Sequence, residues 1–168
     1  DGTRRAVVAT TAAADDAAPR QLLHPAAEGA RGRHVGEHRR AAGRRVKLLY
    51  LVPNFQNPTG LQLGLAKRTQ LLEWAERRDV LIIEDDPYRD LYFPDVTSEA
   101  DTRPMAADDR HERVIYLSSF SKTLAPGFRV AWLSAPAALA GKLELAKQAE
   151  DLCTGAFDQR IVFESCRR

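Results

Sequence analysis

The sequence is poor in the residues that several functions require. It has only two cysteines in 168 residues, Cys153 and Cys166, with neither a CxxC spacing nor a paired histidine. That excludes a sequence-evident zinc site and a disulfide framework. The four histidines, His24, His34, His38 and His111, are scattered through polar sequence without the helical spacing of a metal pair, so no metal is expected. No apolar run approaches the length of a membrane span, and no basic head with an apolar core opens the sequence. The expected compartment is the cytoplasm. A net charge of +2 provides no overall field for nucleic acid or a lipid surface.

Residues 1–45 are rich in alanine and arginine and contain no aromatic residue. They show neither a sustained helical nor a strand period, so they cannot build a core alone. Three readings fit: a disordered basic arm, a poorly packed remnant, or a stretch out of frame with its relatives. Asp15, Asp16, Glu28 and Glu37 dilute the positive charge, and there is nothing for bases to stack on. A disordered or irregular segment is therefore expected rather than a nucleic-acid arm.

Residues 46–168 form the second region. Val46 to Val52 is an apolar run stopped by Pro53, as in a buried strand of a parallel sheet. Good helix formers follow from Gly64 to Arg78. Leu65, Leu71, Leu72, Trp74 and Ala75 form the expected buried stripe, and Lys67, Arg68, Glu73, Glu76, Arg77 and Arg78 a solvated face. Val80 to Ile83 is the next strand and runs into Glu84-Asp85-Asp86-Pro87-Tyr88. In open α/β sheets the carboxyl ends of the strands line the ligand crevice, so an acid there faces a site. Pleating separates Glu84 and Asp86 from Asp85, which leaves them as supporting or surface residues.

Arg89 to Arg113 is polar and irregular, reading as a surface connection with one short helix at most. Asp90, Asp95, Glu99 and Asp101 in it have no recognisable metal-ligand spacing. Val130 to Ala135 is a further strand ended by Pro136, and residues 137–152 read as a helix with Leu139, Leu143, Ala146 and Ala149 near one side.

The most informative stretch is Ser118 to Arg129, which follows the apolar run Val114-Ile115-Tyr116-Leu117. It sets Lys122 among hydroxyls, then closes on Pro126-Gly127 and Arg129. An amine nucleophile must be uncharged, which desolvation or a neighbouring cation promotes, and Phe120, Leu124 and Arg129 are the residues to supply both. Hydroxyls and a guanidinium also suit a phosphate.

Two shorter motifs precede it in order: Asn57-Pro58-Thr59-Gly60 after the first strand, and Asp85-x-x-Tyr88 after the second. Taken singly, each of the three is also an ordinary turn. In this order, each at the end of an apolar run, they resemble the fold-type I, pyridoxal-phosphate-dependent aminotransferases of class I/II. The wording is most similar to the 2-aminoadipate and aromatic aminotransferase branch. The resemblance covers residues 46–159 and implies an α/β fold: part of the mainly parallel-sheet large domain, without the family's small domain.

The resemblance also implies the chemistry. Lys122 would bind pyridoxal 5'-phosphate as an internal aldimine and shuttle protons in transamination between an amino acid and a 2-oxo acid. Asp85 would face the ring nitrogen, Asn57 and Tyr88 the phenolic oxygen, and Ser119, Ser121 and Arg129 the phosphate. Members pair as homodimers. A glycine-rich phosphate loop, a ring-stacking aromatic and a carboxylate-clamping arginine are expected of the family and not found, and a site without positioning groups loses orders of magnitude in rate. The same motifs resemble the aminotransferase-like domain of a class of bacterial transcription regulators, which implies cofactor sensing as the alternative.

Overall fold

The computed structural model describes residues 5–11 and 46–167. Five strands form one mixed sheet: β1 (Arg5–Thr11), β2 (Leu48–Leu51), β3 (Leu81–Asp85), β4 (Val114–Ser119) and β5 (Val130–Pro136), in the order β1-β5-β4-β3-β2. β2, β3 and β4 are parallel, with Tyr50 opposite Ile83 and Asp85 opposite Leu117. β5 runs antiparallel to β4. The ten residues from Phe120 to Arg129 that join them are fewer than a parallel crossover needs. The carboxyl ends of β2, β3 and β4 and the start of β5 therefore meet at one edge of the sheet.

β1 pairs antiparallel with β5, Arg5 opposite Pro136 through Thr11 opposite Val130. A strand there was not expected from a stretch with so little apolar periodicity; its pairing is made by backbone groups, which composition does not reveal. The expectation of an irregular segment over the rest of residues 1–45 lies outside the described residues.

α1 (Leu65–Arg78) lies on the face of the sheet that carries Leu51, Ile82 and Val114. Leu71 and Ala75 complete that core with Val80 and Met105. Arg77 and Arg78 sit in the last turn, where positive charge suits the exposed carbonyls, and Asp79 closes the helix in the left-handed conformation at φ 55°. The expected stripe holds at Leu71 and Ala75 but not at Leu65, which is 43% exposed. Arg68, assigned to the solvated face, is instead buried.

The connection after β3 also differs from the surface loop expected. It contains two one-turn 3-10 helices, Arg89–Leu91 and Met105–Ala107, and sends Thr102 and Met105 into the interior. α2 (Ala137–Glu150) leads on from β5 and buries only Ala140. Leu139 and Leu143 are half-buried, and Ala146 and Ala149 are exposed. α3 (Ala156–Cys166) follows, with Val162 buried.

Candidate functional site

Glu84, Asp85 and Asp86 stand in succession where β3 ends, and the pleat divides them between the two faces of the sheet. Asp85 falls on the face away from α1, together with Tyr50, Ile83 and Leu117, none of which is fully buried. The Tyr50 hydroxyl donates to Asp85 Oδ2. Burial pushes the Asp85 carboxyl above the usual carboxylate range, and the Tyr50 hydrogen bond opposes that shift. Tyr50 itself is driven well above the ordinary phenol range, first by burial, then by the Asp85 hydrogen bond and charge, with a smaller effect from Tyr88.

Tyr88, three residues beyond Asp85, is half-buried, and Lys122 Nζ lies 5.9 Å from its ring centroid. That is within cation–π range. The amine thus lies near a residue three positions beyond the acid. Lys122 and Leu124 are exposed, so the enclosing apolar environment expected around the lysine is not formed by the described residues. Ser119 and Ser121 are half-buried and adjacent, the Ser121 backbone N–H donating to Ser119 Oγ at 3.4 Å. Arg129 takes the left-handed conformation, φ 51°, at the end of the one-turn 3-10 helix Pro126–Phe128, and its Nη1 donates to the Pro126 carbonyl at 3.0 Å. A left-handed non-glycine residue marks a turn held by its surroundings.

Asn57 follows β2, the strand next to β3. It is exposed in the turn after β2, where its backbone carbonyl accepts a 2.7 Å hydrogen bond from Gln56 Nε2. The turn is closed by Gly60, whose φ of +68° favours glycine, with its N–H on the Gln56 carbonyl at 2.6 Å.

The other two acids of the triplet face α1 and are fully buried, against the expectation that they could be surface residues. Glu84 accepts from the backbone N–H groups of Met105 at 2.7 Å and Ala106 at 2.9 Å, satisfying the first turn of the second 3-10 helix. Burial still pushes its carboxyl up to about 7. Asp86 accepts from Asn54 Nδ2 at 2.9 and 3.0 Å and from the Tyr116 hydroxyl at 3.3 Å. Asn54 Oδ1 in turn accepts from Arg68 Nη2 at 2.6 Å. The guanidinium also donates to the carbonyls of Leu63 and Arg103, both at 2.7 Å. A cation on α1, an amide after β2 and an anion after β3 thus tie together the loops from which Asn57, Asp85 and Tyr88 project. Sequence reasoning passed over Tyr50, Asn54 and Arg68. Tyr50 lay within an apolar run, Arg68 among other charges, and neither contact follows a sequence spacing.

Comparison with known proteins identifies the family. The family model for "Aminotransferase class I and II" matches residues 26–159, and the chain belongs to that family. Aromatic-amino-acid aminotransferase 1 of Thermococcus litoralis is 45% identical over 122 residues, 73% of this chain and 28% of the relative. The crystal structure of LysN, the alpha-aminoadipate aminotransferase of Thermus thermophilus, complexed with N-(5'-phosphopyridoxyl)-L-leucine, superposes with a TM-score of 0.64 at 41% identity. The match covers 72% of this chain and 31% of that one. The mixed sheet is accordingly part of the fold-type I architecture. The helix-turn-helix transcriptional regulator NorG of Staphylococcus aureus is 36% identical over 118 residues, 70% of this chain and 26% of the regulator. The chain spans less than a third of the length of each of these proteins.

Proposed function

We propose that this chain is the pyridoxal 5'-phosphate-binding portion of an aminotransferase that moves an amino group between an amino acid and a 2-oxo acid. The observation that supports the reading is that Lys122 Nζ lies 5.9 Å from the ring of Tyr88, three residues beyond the Asp85 that Tyr50 holds. The donor set fits the cofactor. A carboxylate suits a pyridinium nitrogen, a primary amine suits an aldehyde, and two hydroxyls with a guanidinium suit a phosphate.

In this reading Asp85 holds a proton on the ring nitrogen, Tyr88 and Asn57 address the ring's phenolic oxygen, and Ser119, Ser121 and Arg129 hold the phosphate. When bound, the cofactor supplies an electron sink for the electron pair left at the substrate α-carbon. Lys122 would hold the cofactor through Nζ, and its amine, when free, would take a proton from the substrate α-carbon and return it. The Tyr50 hydrogen bond opposes the effect of burial on Asp85, and the carboxylate form of Asp85 would favour the protonated ring. The working form is a homodimer in the cytoplasm.

The test is to mix the purified chain with pyridoxal phosphate, reduce with borohydride and map the peptides. A pyridoxyl group on Lys122, missing in Lys122→Ala, is the expected result; a folded chain that takes up no cofactor refutes it. The likeness to NorG supports a second reading, a cofactor-sensing regulator domain. Transfer of an amino group to a 2-oxo acid by the loaded protein decides for the enzyme, and a helix-turn-helix domain on the same polypeptide decides for the sensor.

A further inference from the structure

Asp85 is the acid on which the proposed chemistry turns, yet the described side chain that holds it comes from a different strand. Tyr50 lies on β2 opposite Ile83, so on the shared face its hydroxyl reaches one pleat further, to Asp85. The residue opposite Asp85 on β4 is Leu117, which offers no hydrogen bond from its side chain. The Tyr50 hydroxyl engages Oδ2. One of the two carboxylate oxygens is thus taken by the phenol.

We propose that Tyr50 is a positioning residue for Asp85: its hydroxyl donates to one carboxylate oxygen and reserves the other for a protonated ring nitrogen. This rests on the reading of Asp85 as the partner of a pyridinium. The physical requirement is that a half-buried carboxylate remain charged near neutral pH before its cationic partner arrives. Burial disfavours that charge, and a donated hydrogen bond to the anion opposes the effect of burial. A phenol is suited to the task, since it donates without introducing a second charge that would compete with the ring.

Two measurements on the 168-residue chain test this. In alkaline titration of tyrosine absorbance without cofactor, Tyr50 and Tyr116 are both expected to titrate late, being raised first by burial. Asp85→Asn brings one phenol back towards the ordinary range and Tyr50→Phe deletes one late phenol; an unchanged titration in Asp85→Asn overturns the proposal. The second measurement is the affinity for pyridoxal phosphate as a function of pH. Tyr50→Phe is expected to move the acid limb of the profile to higher pH by about one unit, with affinity on the alkaline side kept within about threefold. A profile that overlays the unaltered chain, or drops equally at every pH as a packing defect would make it, overturns the role of Tyr50. Asp85→Asn is expected to weaken binding at every pH. If it binds normally, the reading of Asp85 itself fails, which is a different outcome from Tyr50→Phe failing alone.

Discussion

Replacing Asn54 by alanine removes the amide that stands between a buried cation and a buried anion. Asn54 is fully buried; its Nδ2 donates to both oxygens of Asp86 and to the Thr102 carbonyl at 3.1 Å, and its Oδ1 accepts from Arg68. The substitution leaves Asp86 with the Tyr116 hydroxyl and Arg68 with backbone carbonyls, and opens a space lined by charge. Hydrogen bonds to charged groups contribute about 1.5–3 kcal/mol each, and breaking a buried charged network by removing one partner costs about 3–5 kcal/mol. A loss of about 4 kcal/mol is expected. Against a total stability of about 5–15 kcal/mol for a domain, that is a large fraction. Urea unfolding followed by circular dichroism reads it directly as a fall in midpoint at unchanged slope. The double substitution Asn54→Ala with Asp86→Ala should cost less than the sum of the single ones by more than about 1 kcal/mol, because the partners share one network. A single-site cost below about 1 kcal/mol, or strict additivity, would refute the idea that this amide links the two charges.

Stability should also depend on pH through Glu84, whose folded value near 7 exceeds the ordinary 4.5. A raised folded value means that its contribution is complete below about pH 4.5 and is lost as pH rises through about 7, by about 3 kcal/mol in all. Asp85 and Asp86 are shifted in the same direction. Urea midpoints at pH 5 and pH 8 should differ accordingly, and Glu84→Gln should remove more than half of the difference. Ile82→Ala, at a fully buried core position beneath α1, should cost about 2–5 kcal/mol in the same assay. Arg68→Lys should also destabilise, because an ammonium cannot reproduce the guanidinium's fan of bonds to Leu63, Arg103 and Asn54. A melting temperature unchanged from the parent would count against that.

The strands after residue 46 were legible because each is a compact apolar run bounded by proline, glycine or charge, and the helices at 65–78 and 137–150 because their formers are continuous. The motif residues were legible as a set through their order and their position at strand ends. What the sequence could not disclose were pairings across the sheet. The register that puts Tyr50 one pleat from Asp85 depends on how β2 and β3 align, and nothing local encodes it. Arg68 was misplaced because amphipathic patterning ranks a guanidinium by its charge, whereas three backbone and side-chain acceptors at the helix's entrance make burial favourable. β1 escaped notice because an edge partner of β5 needs backbone groups more than an apolar signature.

The alternating sides of β3 make the order of its three acids matter more than their number. Deleting one residue upstream in that strand would keep the net charge of the tip unchanged while rotating every downstream carboxylate by half a turn. The middle acid would then be buried against the helix and lose its phenol. Conservative exchanges within the triplet should therefore be tolerated better than any insertion or deletion there, and length at this point is under tighter constraint than chemistry.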